Sequence, residues 1–200
     1  MKYCYEVLNS DQTHNGFLGL KRYRLKHDLF SGGSSKVLTR ERVEGLRSSA
    51  VLLYDPDRDE VVMIEQFRIG AIDRPDGAWL LEIVGGLIEE GQEPGEVACK
   101  EALEEAGCHI RKLISICEFM VSPGYSSEQT HLYCGLVDAS GAGGVHGVEE
   151  EGEDIRVEVL PADTAISELY GGRVNSTTAI ISMQWLAMNR TSLREEVEGW

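Results

Sequence analysis

The sequence predicts an α+β fold in which a mixed β-sheet is sandwiched between α-helices and preceded by an antiparallel strand segment. Short apolar runs bounded by turn residues recur between residues 50 and 160, a pattern typical of sheet strands. Three further segments carry helical spacing or helix-end signals. The first 47 residues have strand character but little apolar mass. We therefore expect residues 1–47 to form a strand segment and residues 48–200 the main domain.

The N-terminal segment divides into three strand-like pieces, separated by Asn15-Gly16 and by Ser31-Gly32-Gly33. These pieces are Tyr3–Leu8, Phe17–Leu25 and Lys36–Val43. Because such a segment has too few apolar residues for a core of its own, we expect it to pack on the main domain or on a second subunit.

The main domain begins with a predicted hairpin, because Asp and Pro open the connection between its two apolar runs. Four more strands and two closing helices follow. The strands are Ala50–Tyr54, Val61–Phe67, Trp79–Val84, Ile110–Val121, Thr130–Val137 and Ile155–Leu160, and the helices are Pro161–Tyr170 and Ser176–Met188.

A helix between these strands contains most of the chemistry that the sequence offers. Pro94 suits its first position and Gly107 suits a left-handed C-terminal cap. At about 100° per residue, one face is predicted to hold Ala98, Cys99, Ala102, Leu103 and Ala106, and a separate arc Glu101, Glu104 and Glu105.

The acidic arc admits two interpretations. Glu101 and Glu105 are spaced i, i+4, so their like charges repel unless water or a cation separates them. A solvated acidic face is the simpler reading of the helix taken alone. A hard cation such as Mg²⁺, which binds oxygen ligands, would reverse the sign of the interaction.

Charge and composition exclude several classes of function. The chain has 19 Lys and Arg against 34 Asp and Glu, a formal net charge of −15. Such acidity argues against a nucleic-acid partner, which is bound through clustered basic residues. No apolar run reaches the length of a membrane helix, and the N-terminus does not have the pattern of a signal peptide. Five widely spaced cysteines are expected to be small buried hydrophobes in a reduced, cytoplasmic protein.

Residues 86–108 resemble the 23-residue signature of the Nudix hydrolase family. Two glycines precede this helix after a strand, and Gly86, Glu101, Ala102, Glu104, Glu105, Gly107 and Cys108 match the signature in register. Gln92 stands where the family usually has Glu, and Lys100 where it has Arg. Lysine keeps the positive charge but lacks the planar fork that holds a carboxylate through two bonds.

Features outside the signature resemble the ADP-ribose pyrophosphatase branch of that family. They are Pro123 within Ser122-Pro123-Gly124, Glu128, the acidic run Glu149–Asp154, Gly16-Phe17, Arg40-Glu41 and Glu65–Ile69. Tyr125 departs from the branch, because many relatives have a second glycine there. Without the resemblance, Phe17 and Leu18 would be read as sheet-face residues, Arg40 and Arg68 as surface cations, and the acidic run as a solvated loop.

The resemblance implies hydrolysis of ADP-ribose to AMP and ribose 5-phosphate, with two or three Mg²⁺ ions for which Mn²⁺ can substitute. It assigns Glu101, Glu105 and the Gly85 carbonyl as metal ligands, Glu104 as a further or supporting one, and Glu153 as a ligand once substrate binds. It assigns Glu151 as the general base; composition alone does not distinguish Glu151 from Glu149, Glu150 or Glu153. The implied substrate-binding residues are Phe17, Leu18, Arg40, Glu41, Arg68, Leu87, Ser122, Pro123, Gly124 and Glu128.

The resemblance also implies a homodimer in which N-terminal segments exchange, so that Phe17 acts across the interface. Three alternatives stay open at this point. They are a pyrophosphatase for GDP-mannose or another sugar nucleotide, a Nudix-fold sensor that binds nucleotides without cleaving them, and an acidic domain without enzymatic activity.

Overall fold

The computed structural model describes residues 3–197, except for the side chains of Glu151, Glu196 and Val197. The chain forms two compact units. The first runs up to Arg47 and also includes Met120–Gln129. The second comprises Ser48–Phe119 and the chain from Thr130 onward.

The first unit is built on a three-stranded antiparallel sheet in the order β1-β2-β3. These strands are β1 Tyr5–Asn15, β2 Gly19–His27 and β3 Leu38–Glu44. The first strand continues past its predicted end at Leu8, because it pairs with β2 as far as Asn15 through two register shifts. Every residue of β1 is exposed. A strand without a buried face need not alternate polar and apolar residues, so the sequence pattern did not indicate its length.

Residues 120–129 join this unit through β3. The amide of Val43 donates to the carbonyl of Tyr125 at 2.8 Å, and the amide of Gly45 donates to the Ser127 hydroxyl at 2.8 Å. The loop that contains Ser122-Pro123-Gly124 therefore lies against the N-terminal sheet. Strand patterning did not predict this, because the bonds connect residues far apart in the chain.

A polar cluster stabilises the β2–β3 pair. Arg42 Nε donates to Glu44 Oε1 at 3.0 Å, the Tyr23 hydroxyl donates to the same oxygen at 2.9 Å, and the Arg42 guanidinium lies 4.8 Å from the Tyr23 ring centroid. The hydrogen bond from Arg42, assisted by that from Tyr23, lowers the pKa of Glu44 to about 2.

The second unit contains an eight-stranded sheet in which six strands run in the order β10-β11-β5-β4-β9-β8. Strand β6 pairs with β5, and β7 pairs with β4. The predicted hairpin is confirmed as the β4–β5 pair, whereas the predicted strand Trp79–Val84 divides into two strands with different partners, and β10 was not predicted. The strands are β4 Arg47–Asp55, β5 Glu60–Phe67, β6 Trp79–Glu82, β7 Val84–Leu87, β8 Lys112–Met120, β9 Gln129–Leu136, β10 Gly144–His146 and β11 Ile155–Pro161.

Three helices cover the two faces of this sheet: α1 Pro94–Ala106, α2 Ala162–Gly171 and α3 Thr177–Val197. One core, which includes Met63 and Leu132, packs against Ala165 of α2 and Met183 of α3. The other packs Val51, Leu53, Val62 and Ile64 against the alanines of α1. The predicted α+β class, with a mixed sheet between helices, is confirmed. Helix α3 extends well past its predicted end at Met188. Its last turns are polar and have little apolar periodicity, so the sequence pattern did not indicate that the helix continues.

An ion-pair cluster ties the β4–β5 turn to α3. Asp59 has φ 59° and accepts hydrogen bonds from the buried Tyr54 hydroxyl at 2.7 Å and from Arg190 Nε at 2.6 Å. Arg190 also pairs with Asp163 of α2. The hydrogen bond from Arg190 lowers the pKa of Asp59. Three elements distant in sequence are thus joined at one guanidinium.

The cysteines are not all buried as expected. Cys108 and Cys134 lie in the cores, whereas Cys4, Cys99 and Cys117 are exposed, and no disulfide joins any of the five, all of which lie in the described part of the chain. Within residues 3–197, no helix combines the length and apolarity needed to cross a membrane.

Candidate active site

The acidic helix α1 is fixed at both ends, as its sequence predicts. Pro94 occupies its first turn, and its carbonyl accepts a hydrogen bond from the buried Ser49 hydroxyl of β4 at 2.7 Å. Gly107 adopts the left-handed conformation at φ 64°, and its amide bonds to the carbonyls of the last turn. The helix therefore holds its carboxylates on a rigid element.

The buried face of α1 differs from the predicted one. Ala98, Ala102 and Ala106 are buried as expected, but Cys99 and Leu103 are exposed. Glu105, assigned by helical spacing to the acidic arc, is only 2% exposed. The small alanines let the helix approach the sheet closely, and a hydrogen bond from strand β7 turns Glu105 inward.

Glu105 is a buried carboxyl held by the first of the two glycines in β7. Its Oε2 accepts a hydrogen bond from the Gly85 amide at 3.0 Å, and it forms no ion pair with any described residue. Burial raises the pKa of Glu105 to about 8; the charges of Glu101 and Glu153 act in the same direction, while the Gly85 hydrogen bond and Arg68 oppose it. The ionised form of this carboxylate therefore needs a nearby positive charge.

Glu101 lies one helical turn before Glu105, over Gly86. Its side chain is 14% exposed and lies 3.6 Å from Lys100 Nζ, which pairs more closely with Glu104 at 2.9 Å. Burial raises the pKa of Glu101, Lys100 opposes the rise, and the charges of Glu104 and Glu153 add to it. Lys100 thus lies nearer to Glu104 than to Glu101, and it forms no ion pair with Glu105.

The two glycines of β7 give the helix acids their space. A Cβ on Gly86 would lie 2.2 Å from Glu101 Oε1, and one on Gly85 would lie 3.0 Å from the Ser49 carbonyl oxygen. Neither position accepts a side chain without moving a carboxylate or a neighbouring strand. The glycines therefore allow Glu101 and strand β4 to approach the backbone of β7 closely.

The acidic run forms a tight loop beside the end of α1. Glu149–Glu151 make a single 3₁₀ turn, closed by Gly152 at φ 72°, and Glu153 Oε2 accepts a hydrogen bond from the Val148 amide at 2.9 Å. The charge of Glu153 acts on both Glu101 and Glu105. Glu151, the predicted base, lies in this turn, and its side chain is outside what the structure describes.

The carboxylates of α1 provide oxygen donors of the kind that a hard metal ion binds. In the described part of the chain, no three His, Cys, Asp or Glu side chains converge as a complete metal cage. Glu101 and Glu105 nevertheless supply oxygen donors. Glu101 is partly buried, and Glu105 is buried and forms no ion pair with any described residue. Mg²⁺ usually takes one or two protein carboxylates and completes its shell with water and substrate phosphates. The residues present fit such an ion.

Arg68 and Glu82 extend the site along the sheet. Arg68 follows β5 and donates through Nε to Glu82 Oε2 at 2.6 Å. Glu82 was not predicted, although it is the one charged residue within the apolar run Trp79–Val84. Leu87, at the end of β7, is half-exposed and available for apolar contact.

The remaining predicted substrate residues all lie in the first unit. Arg40, Glu41, Pro123 and Gly124 line a cavity of about 400 Å³ together with Tyr5, Val7, Tyr23, Leu25, Arg42 and Tyr125. The Ser122 carbonyl accepts two backbone hydrogen bonds that form the loop, and the amide of Glu128 bonds to Ser126 within it.

Not every predicted residue in this unit lines the cavity. Phe17 is 84% exposed and Leu18 beside it is also exposed, and neither lines it. Of the residues that do line it, Glu41 is paired with Arg22 at 2.9 Å, and Arg40 donates to the carbonyl of Thr39.

A mixed sheet between helices, with the two glycines of β7 packed against Glu101 and Glu105 of α1, defines a Nudix-type domain. The family model of the NUDIX domain matches residues 45–177, well over half of the chain. The chain belongs to the Nudix family.

Several curated proteins are similar in sequence to this chain over most of its length. The chain is 40% identical to the ADP-ribose pyrophosphatase of Haemophilus influenzae over 193 residues, 95% of this chain and 89% of the relative. It is also 40% identical to the ADP-ribose pyrophosphatase of Escherichia coli K12 over 191 residues, 96% and 91% of the two chains. The GDP-mannose pyrophosphatase of Cronobacter sakazakii is 33% identical over 152 residues, 74% of this chain and 78% of the relative.

A solved structure shares the fold. The crystal structure of an ADP compounds hydrolase matches with a TM-score of 0.68, covering 92% of this chain and 95% of that one at 17% identity. At this identity the likeness establishes the fold alone.

Proposed function

We propose that this protein hydrolyses the diphosphate bond of ADP-ribose, with Mg²⁺ as cofactor, to give AMP and ribose 5-phosphate. The observation that carries the proposal is the pair of inward-facing carboxylates, Glu101 and Glu105, packed against Gly85-Gly86. Relatives named ADP-ribose pyrophosphatase, which cover nearly the whole chain, support the choice of substrate.

Divalent cations are the first requirement of this chemistry. Glu101 and Glu105 would hold Mg²⁺, with the Gly85 carbonyl and Glu104 adding or supporting oxygen donors and Glu153 completing the shell. When bound, two or three such ions would neutralise the diphosphate and polarise a phosphorus atom for attack, and Mn²⁺ would substitute. The raised pKa of Glu105 supports this arrangement, because a bound cation would stabilise the ionised form of a buried carboxyl that no described residue pairs with.

Glu151 is proposed as the general base that removes a proton from the attacking water. Its turn belongs to the loop that also contains Glu153, whose charge acts on both helix carboxylates. The Glu151→Gln variant should lower kcat by orders of magnitude with an unchanged Mg²⁺ requirement. Glu149→Gln, in the same turn, is the matched control. Near-normal turnover of Glu151→Gln would transfer the role to another acid.

Arg68 and the first-unit cavity are proposed to bind the substrate. The outer guanidinium nitrogens of Arg68 suit phosphate oxygens. Arg40, Glu41, Ser122, Pro123, Gly124 and Glu128 would contribute polar and backbone contacts, while Phe17, Leu18 and Leu87 would provide apolar contact to the adenine or the riboses. The three tyrosines that line the cavity support binding of a planar ring.

We further propose a homodimer formed through the N-terminal unit, with Phe17 acting across the interface. Within the described residues of that unit, no hydrophobic side chain is buried, and all of β1 is exposed. A three-stranded sheet without a core needs another surface to cover it. Sedimentation should give a dimer, and full activity in a monomer would refute this proposal.

Substrate profiling tests the assignment. Purified protein with Mg²⁺ would be given ADP-ribose, ADP-mannose, GDP-mannose and a diadenosine polyphosphate, and phosphate release would be measured after coupling to a phosphatase. ADP-ribose should have the highest kcat/KM. The similarity to GDP-mannose pyrophosphatase supports GDP-mannose as the second candidate. Cleavage of none of these compounds would favour a nucleotide sensor.

The proposed setting is the cytoplasm, with a small-molecule substrate and without a nucleic-acid or membrane partner. The absence of a disulfide among the five described cysteines supports a reducing compartment. The net charge of −15 opposes binding to the phosphate backbone of nucleic acid.

A further inference from the structure

Arg68 is held at its inner end by one segment of the sheet. Its backbone amide donates to the Ala78 carbonyl at 2.8 Å, and its Nε donates to Glu82 Oε2 at 2.6 Å. The Glu82 side chain is 10% exposed, whereas that of Arg68 is 46% exposed. The pair therefore has a buried carboxylate and a guanidinium whose far end reaches solvent.

The geometry of a guanidinium gives this bond a directional effect. Nε is the nitrogen nearest the side-chain stem, so a hydrogen bond there orients the whole plane. The two terminal nitrogens carry the other N–H donors, and no described residue occupies them with a hydrogen bond. A planar pair of free donors suits two oxygens of a phosphate group.

Sheet register places this pair on the face that carries the helix acids. Glu82 of β6 pairs with Ile64 of β5, so the two side chains project to the same face. Ile64 packs in the core beneath α1. Three residues after Glu82, the Gly85 amide holds Glu105 of the same helix.

We propose that Glu82 is a positioning residue: it fixes the Arg68 guanidinium so that its terminal N–H groups meet the anionic oxygens of the diphosphate. The inference rests on the proposed function, and adds to it a group that does not itself contact substrate. A purely structural Glu82 would instead only anchor the segment between β5 and β6.

A double-mutant cycle separates the two roles. The Glu82→Gln variant keeps the shape and an oxygen acceptor but loses the charge, and it should lower kcat/KM by about tenfold to a hundredfold. In an Arg68→Ala background, the same change should alter kcat/KM by less than about twofold, because the group on which Glu82 acts is gone. Equal losses in both backgrounds would overturn the proposal.

A matched control is available at the other end of β5. Arg58 donates through Nε to Glu60 Oε2 at 2.7 Å, the same type of pair at the opposite end of β5. Glu60→Gln should leave kcat/KM within about twofold of the wild type. A loss as large as that of Glu82→Gln would mean that the effect comes from the sheet in general.

Two further readouts keep the test decisive. The Mg²⁺ concentration for half-maximal activity should stay unchanged in Glu82→Gln, and a parallel rise would place Glu82 in the metal site instead. If Glu82→Gln does not fold, Glu82→Asp, which retains the charge at a shorter reach, should show the same dependence on Arg68. Wild-type protein inactive on every nucleotide diphosphate would refute the proposed function, whereas an active enzyme without coupling between Glu82 and Arg68 would refute this inference alone.

Discussion

Replacing Glu105 with glutamine removes a titratable group from a buried position and leaves the packing of α1 intact. The amide has the shape of the carboxyl, and its oxygen can still accept the hydrogen bond from Gly85. We predict that Glu105→Gln abolishes turnover and, with divalent cations chelated, makes the protein more stable than the wild type at neutral pH.

The magnitude follows from the raised pKa of Glu105. Below pH 4.5 the carboxyl is protonated in both the folded and unfolded states, so it adds no pH dependence. Between pH 4.5 and about 8 the unfolded chain loses this proton and the folded chain keeps it, so the free energy of unfolding falls as pH rises. At about 1.4 kcal/mol per pH unit, the interval from pH 4.5 to pH 7 amounts to roughly 3–4 kcal/mol.

Urea denaturation, followed by tryptophan fluorescence, measures this effect. The free energy of unfolding would be determined in EDTA at intervals from pH 5 to pH 8.5, and again with excess Mg²⁺. The wild type should lose stability with rising pH relative to Glu105→Gln. Mg²⁺ should restore it more strongly at pH 8 than at pH 5.5, because the cation stabilises the ionised carboxylate.

Glu104→Gln is the matched control, since it removes one negative charge from the same helix at the position paired with Lys100. It corrects for the general relief of charge repulsion in an acidic protein. Parallel pH profiles of wild type and Glu105→Gln, or a variant less stable than wild type at pH 8, would refute the reasoning about burial.

Three further predictions concern other parts of the molecule. In Gly86→Ala the new Cβ would displace the Glu101 carboxylate, whose Oε1 lies 2.2 Å from that position. The kcat should therefore fall about ten- to a hundredfold, and the Mg²⁺ concentration required for activity should rise. An unchanged Mg²⁺ requirement in metal titrations would contradict this prediction. Arg190→Ala leaves Asp59 with the Tyr54 hydroxyl and the longer contact to Arg194 at 3.4 Å. The change should cost about 1–2 kcal/mol of unfolding free energy, while kcat/KM stays the same. A loss of less than about 0.5 kcal/mol in urea denaturation would be inconsistent with the ion-pair cluster. Glu44, with a pKa of about 2, contributes stability that is present above pH 4.5 and lost as pH falls through 2. Glu44→Gln should therefore lower the free energy of unfolding by about 1–2 kcal/mol at pH 7 and flatten its dependence on acid pH. Hydrogen exchange of the β3 amides would measure the loss of stability and its pH dependence.

Much of the second unit could be predicted because its signals are local. Pro94 and Gly107 mark the ends of α1 through their own backbone preferences, and both act as predicted. The apolar runs of β4 and β5 are bounded by a turn whose Asp and Pro are typical of hairpins. The i, i+4 spacing likewise predicted that Glu101 and Glu105 would be neighbours on one helix.

What the sequence could not reveal is how unequal these two glutamates are. Helical spacing assigns both to one arc, but the rotation of α1 on the sheet buries Glu105 and leaves Glu101 at the rim. That rotation depends on how closely three alanines let the helix approach, which is a property of tertiary packing. The role of Glu82 and the docking of residues 120–129 on β3 were hidden for the same reason, since each depends on partners distant in sequence.

The acids of α1 and those of the loop Glu149–Asp154 lie in different structural settings, and the difference in setting predicts different effects of substitution. The acids of α1 lie on a helix that is capped at both ends and packed on a sheet, so replacing them changes stability and activity together. Three acids of the loop, Glu149–Glu151, lie on one 3₁₀ turn. Local bonds close it, from the Gly152 amide to the Glu149 carbonyl at 3.0 Å and from the Glu153 amide to the Val148 carbonyl at 3.3 Å. Such a turn contributes little to the global free energy of unfolding. Substitution of Glu151 should therefore alter turnover with little change in stability, which is the behaviour expected of the proposed general base.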